Sequence, residues 1–320
     1  MRWMSSVKNG FLCGRGGALS AALFYLEAFL LSSMALAPLG AGLHRVLDGS
    51  PEALSLASGG GADLLGELAF NQPGLWAAGF GLLPWTILLH VVFALVLTAG
   101  TYGLAASDEP RHPWGDFWKG ALRLTLPFAG VLALNVAGWG AVTVVPAMAL
   151  MGVAKAVEGS TSSAAVWGLV AGWGSALLIM AALFKGSLGF GQARYTLSGK
   201  EEGFGRSLLN GTAFSLRRVV PAAGITLLFG AGRFLAFWGL YWVLAPGFAT
   251  GGRALASMVL QQGAFLAAAY LRAAEIRAQV SYMRSWDELA RRPAVGAPAD
   301  SQAPGALQPA PALDSSDTLL

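Results

Sequence analysis

Residues 193–221 read ARYTLSGKEEGFGRSLLNGTAFSLRRVVP, and long apolar runs flank them on both sides. Arg194, Lys200, Arg206, Arg217 and Arg218 crowd into this stretch of an otherwise greasy chain. Wound as a helix at about 100° per residue, Leu208, Leu209, Ala213, Leu216 and Val220 form one apolar arc. Arg206, Asn210, Arg217 and Arg218 oppose it, and Phe214 falls on the polar side. Such a helix lies in a membrane interface, with its arc on acyl chains and its cations toward anionic lipid headgroups. The stretch therefore reads as an interfacial elbow between two membrane spans rather than as a soluble insertion.

It has a sister at 102–127, YGLAASDEPRHPWGDFWKGALRLTLP. Both stretches begin Tyr-x-Leu, at Tyr102 and Leu104 and at Tyr195 and Leu197. Both then place an acid pair at the same distance, Asp108-Glu109 and Glu201-Glu202. Each continues to a glycine, Gly120 or Gly211, then to basic residues and a proline, Pro127 or Pro221. On a helix Asp116, Lys119 and Arg123 share one narrow face, opposite Trp114, Phe117, Trp118, Ala121 and Leu122. The matched spacing points to a span–elbow–span unit used twice, related about an axis along the membrane normal. Convergence on what any cytoplasmic elbow needs is the plainer alternative.

The composition around these elbows supports the reading. Of 320 residues, 55% are hydrophobic and 12% are charged, against about 25% charged in soluble domains. A spanning helix needs about 20 mostly apolar residues. Runs near 17–37, 77–100, 124–152, 164–185, 219–245 and 254–274 meet that requirement. They are continuously apolar, which excludes the alternation of a barrel. The expected fold is thus all-α: a polytopic bundle of six spans, with amphipathic elbows at 101–123 and 186–218 and a cytoplasmic amphipathic N-terminus at 1–16. In that topology all but four of the 21 Lys and Arg residues fall on one side, the exceptions being Arg45, Lys155, Arg233 and Arg253. The positive-inside rule then places both termini in the cytoplasm of a bacterial inner membrane. A cleaved signal peptide is a rival reading of the first segment, ending at Ala35-Leu36-Ala37. Its long basic region and the interrupting Glu27 oppose it.

Outside the spans, 38–76 reads as an external loop. Within it SPEALSLASGGGADLLGELAF suggests two short helices about Gly59-Gly60-Gly61, the first capped by Ser50 with Pro51 following. The tail 293–320 is rich in Ala, Pro and Ser and reads as disordered. The run GFGQARYTLSGKEEGFGRSLLNGTAFSLRRVVP resembles a segment of a loose group of uncharacterised bacterial six-span integral membrane proteins. LTAGTYGLAA resembles the end of their second span, and LQQGAFLAAAYLRAAEIRAQVSYM their last helix. In that group the fourth span ends in an acidic-aromatic pair. Here Gly191-Gln192-Ala193-Arg194 stands in its place. The resemblance implies topology and carries no activity with it.

Charges inside spans are costly and therefore mark sites. Glu27, His90 and Arg233 form the candidate polar centre. At 1.5 Å per residue Glu27 is roughly 15 Å deep, His90 roughly 12–15 Å and Arg233 roughly 21 Å. A Glu27–Arg233 pair is within reach of the arginine, and structural pairing or snorkelling is the bland alternative. Asn135, Gln261 and Gln262 read as helix–helix glue, and Ala164, Gly168, Gly172 and Ala176 as a close-packing stripe. Lys119, Arg123, Arg194, Arg206, Arg217 and Arg218 are the candidate headgroup or partner contacts. His44, His90 and His112 lack metal-ligand spacing, and Cys13, the sole cysteine, excludes an intrachain disulfide. No nucleotide loop is present. Neither a cofactor nor a nucleic-acid partner is expected, and no catalytic constellation is visible. The leading expectation is a non-enzymatic membrane module: a scaffold, a partner subunit, a homo-oligomer or an accessory permease-like subunit. The alternative is a secondary transporter or lipid-handling protein using Glu27, His90 and Arg233.

Overall fold

The computed structural model describes residues 2–12, 14–48, 80–107, 112–157, 163–198, 201–244 and 252–291, with positions 74 and 77 besides. Expectations for 49–73, the Asp108-Glu109 pair and the tail from 293 lie outside these residues. All regular structure among them is α-helical. In chain order the helices are α1 (Arg2–Phe11), α2 (Arg15–Leu47), α3 (Leu83–Ala106) and α4 (Pro113–Val157). They continue with α5 (Ser163–Ser198), α6 (Phe204–Arg217), α7 (Val219–Leu244) and α8 (Gly252–Arg291).

Five stretches are long and apolar enough to cross a membrane: Arg15–Arg45, Leu83–Ala106, Pro113–Gly138, Ala171–Ser198 and Val219–Gly239. Helix satisfies every backbone polar group within such a segment, which is why these runs adopt it. α8 is not among the five. Gln261, Gln262, Arg272, Glu275 and Arg277 interrupt its apolar residues.

Several boundaries differ from the sequence expectation. Helix α2 continues to Leu47 with Pro38 inside it, so the expected loop at 38–76 starts later. The elbow expected at 101–123 is not a separate helix: α3 carries on to Ala106, and Pro113 opens an unbroken helix of 45 residues. Proline at a helix start loses no hydrogen bond, so Pro113 marks the turn. Helix α5 likewise absorbs 186–198, leaving α6 as the distinct short helix of the second elbow. Only Arg218, at φ −133° and ψ 51°, breaks the backbone between α6 and α7. Helix α8 runs on well past the expected end of its span, over 40 residues in all.

The α3–α4 and α5–α6 hairpins share a packing device. Gly103 meets Gly120 backbone to backbone, and Gly191 meets Gly211 in the same way. Phe117 presses on a second glycine, Gly100, in one hairpin, whereas in the other Leu208 presses on Gly191 itself. The aligned glycines Gly120 and Gly211 thus do the same work: they let one helix lie directly on the helix before it. Within the chain, Gly168 and Gly172 of the expected stripe on α5 make no close contact, since a side chain at either would meet nothing within 4 Å among the described residues; packing of that stripe on a second protomer is the other expectation.

The core gathers at one end of the bundle. Tyr102, Phe117, Phe128, Phe190, Ile225 and Phe229 are fully buried there, around the alanines Ala269, Ala273, Ala274 and Ala278 of α8. Small residues let α1 lie against α8, where Gly10 touches the Ala274 carbonyl and Asn9 Nδ2 donates to Ser281 Oγ at 3.3 Å. Toward the other ends of α3, α5, α7 and α8, large apolar side chains such as Trp85, Leu178, Leu235 and Val259 point outwards. A water-soluble surface rarely carries so much contiguous apolar area; acyl chains are its natural solvent.

Candidate functional site

Between α3, α4, α5, α7 and α8 lies a cavity of about 320 Å³. Its polar wall is built by helical periodicity. Thr98 and Tyr102 recur on one face of α3, Lys185, Gly189 and Gln192 on one face of α5, and Arg272, Glu275 and Gln279 on one face of α8. Arg233 comes from α7, Asn135 from α4 and His90 from the outer part of α3, while Leu95, Phe128 and Val131 supply apolar wall.

Glu275 organises the charges. Its Oε2 accepts from Arg233 Nη2 at 2.8 Å and from Lys185 Nζ at 3.3 Å. Helices α5, α7 and α8 are thereby tied at one atom. The carboxylate side chain is only 4% exposed, and an uncompensated charge there would be strongly destabilising. Its Oε1 is buried without a hydrogen-bond partner among the described residues. The Tyr102 hydroxyl reaches Gln279 Oε1 at 2.7 Å and the Gly189 carbonyl at 3.1 Å, joining α3, α5 and α8. Gly189 has no room for a side chain because the Gln279 amide occupies that space. Arg272 stacks its guanidinium 4.4 Å above the Phe24 ring and donates to Thr98 Oγ1 at 3.2 Å. Among the described residues no carboxylate lies within ion-pair distance of Arg272.

The three intramembrane residues singled out from sequence are placed as follows. Glu27 on α2 stands 2.8 Å from His90 Nδ1. Arg233 pairs with Glu275, so a Glu27–Arg233 pair is not formed. His90 and Arg233 line the cavity, and Glu27 stands behind His90. Lys185, Arg272, Glu275 and Gln279 were missed as site residues. In the sequence Lys185 and Arg272 stand only among the basic residues that fall on one side of the topology. Their signal was nevertheless present, as polar residues repeating at helical spacing on α5 and α8. Gln262 accepts from the Tyr25 hydroxyl at 2.8 Å and does act as glue, between α2 and α8.

The basic residues of the elbows divide into two groups. Arg194 forms a two-pronged bond to Glu202, at 2.9 and 2.6 Å. It holds that carboxyl below its ordinary range. Arg218 stacks 3.3 Å from the Trp286 ring centre. Lys119, Arg123, Arg206 and Arg217 are exposed. Among the described residues no group of three or more His, Cys, Asp or Glu is placed to hold a metal ion.

No protein-family model, curated protein or solved structure matches the chain. Functional inference therefore rests on this geometry.

Proposed function

We propose that the chain is a six-span protein of a bacterial cytoplasmic membrane that handles a polar solute or lipid headgroup in this cavity, by secondary transport or lipid handling. The observation that carries the reading is the cavity itself: a space lined by Lys185, Arg233, Arg272 and Glu275, enclosed by α8 and by α3, α4, α5 and α7, which hold segments apolar enough to span a membrane. Ionisable residues are expensive at such a depth, and they commonly mark a pathway or a binding centre. A purely scaffolding bundle has no use for the space between them. In this topology α8 is the sixth span, less apolar because it carries the polar wall. Both termini lie inside. Helix α6 and the opening turns of α4 lie along the cytoplasmic interface, with Lys119, Arg123, Arg206 and Arg217 toward anionic headgroups.

Cysteine accessibility tests the reading. In a Cys13→Ser background, Asn135→Cys and Ala94→Cys on the cavity wall should react with a water-soluble maleimide. Leu178→Cys on the outer apolar face should not. If the cavity positions are as unreactive as Leu178→Cys, the bundle is dry and the scaffold alternative takes its place.

A further inference from the structure

We propose that the cavity is an anion site, with Lys185 and Arg272 as the cations that receive a phosphate or carboxylate group and Glu275 as the resident counter-ion. The inference rests on the cavity being water-filled. Its lining sets three cations, Lys185, Arg233 and Arg272, against one carboxylate, Glu275, and a second carboxylate, Glu27, stands behind the lining residue His90. The cations are not equally committed. Arg233 makes the shorter bond to Glu275, at 2.8 Å, with a side chain 19% exposed. Lys185 makes the longer one, at 3.3 Å, and its side chain is 45% exposed. An ammonium has three N–H donors, so the Glu275 bond leaves Lys185 capacity for another acceptor. A guanidinium has five, and Arg272 spends one on Thr98; Glu27 and Glu275 act on it electrostatically, but among the described residues neither lies within ion-pair distance.

The neutral groups agree. Gln279 turns its Oε1 to the Tyr102 hydroxyl, which leaves its amide nitrogen as a donor. The absence of a side chain at Gly189 keeps that corner open for the amide. A cationic ligand would enter against three like charges in surroundings that screen them poorly. An anion enters with the field, and arginine's planar fork suits an oxyanion. Phosphate groups reach such a cavity either free from water or on a lipid headgroup, and the chemistry of recognition is shared.

The test uses full-length Cys13→Ser, Asn135→Cys protein and follows maleimide labelling. One arm compares inorganic phosphate with chloride at equal ionic strength in neutral detergent. The other compares nanodiscs of phosphatidylcholine with and without phosphatidylglycerol. Protection by phosphate supports a free anion as the ligand, and protection by phosphatidylglycerol supports a headgroup. In either arm Arg272→Gln should weaken protection about tenfold or more. Glu275→Gln removes the competing carboxylate and should strengthen it, a gain that misfolding does not imitate. Labelling that responds to neither anion overturns the anion site and leaves the water-filled cavity standing. Protection by tetramethylammonium instead, or a shift in the same direction for Arg272→Gln and Glu275→Gln, also overturns it. Failure of Asn135→Cys to label at all removes both readings.

Discussion

Glu275 concentrates two cations on one oxygen, Oε2, while Oε1 is buried without a hydrogen-bond partner among the described residues. One residue thereby fixes the relative rotation of α5, α7 and α8. Glycines fix the helix separations in a different way. Gly120 meets the Gly103 backbone, so a branched side chain there has nowhere to go, whereas Gly168 faces open space. Gly120→Val should lower stability by about 1–3 kcal/mol and depress the melting temperature in detergent. Gly211→Val should do the same, because Gly191 fills its space. Gly168→Val should leave the melting temperature close to that of the parent protein. Equal effects at Gly120 and Gly168 would show that backbone contact is not what selects glycine in the elbows.

Helix α6 has three faces where the sequence suggests two. Ser207, Leu208, Gly211 and Ser215 turn inward, and the Ser215 hydroxyl lies 2.7 Å from that of Ser187 on α5. Phe214, an anomaly on a helical wheel, packs among Phe190, Tyr282 and Trp286 on this inner side. Leu209 and Leu216 remain exposed, at 73% and 59%, and form the face suited to acyl chains. Arg206 and Arg217 are exposed as well. The turn into α6 is held by the Arg194–Glu202 pair, with Ser207 Oγ donating to Glu202 Oε2 at 3.3 Å. Because Arg194 depresses the Glu202 pKa from its ordinary 4.5, the folded state binds the proton less readily than the unfolded one. The pair's contribution is therefore fully present above pH 4.5 and is lost as pH falls through the lower folded value. Glu202→Gln should cost less than about 1 kcal/mol at neutral pH, since the pair is partly exposed. The melting-temperature gap between the two proteins should close on acidification below that range. A gap independent of pH would assign the stability to shape rather than charge.

At the scale of the whole molecule, buried aromatic and alanine packing gathers at one end, while outward-facing apolar side chains occur along the bundle, Leu122 and Leu126 at the packed end included. In the proposed topology the packed end is cytoplasmic, where the elbows and α1 add protein contacts that lipid would otherwise supply. Single cysteines at Lys119, Arg206 and Ser285, in a Cys13→Ser background, should label with an impermeant maleimide in inverted vesicles and not in spheroplasts. Labelling of Lys119→Cys and Arg206→Cys from opposite sides would rule out an even number of spans between them. Labelling of all three from outside would invert the orientation.

The sequence by itself determined that the chain is helical and rich in segments able to span a membrane, because continuous apolar runs of that length leave the backbone no other economical way to bond itself. It also marked the amphipathic stretch that forms α6, since a helix's faces follow from its period alone. It pointed to the aligned glycines Gly120 and Gly211, though not to what they touch. Only the tertiary structure decided which charges meet. Lys185, Arg272 and Glu275 lie on different helices or at span ends, where a charge near the interface looks the same whether it serves orientation or a site. Glu27 finds His90 and not Arg233, because pairing depends on helix order and rotation, which a one-dimensional depth estimate does not contain.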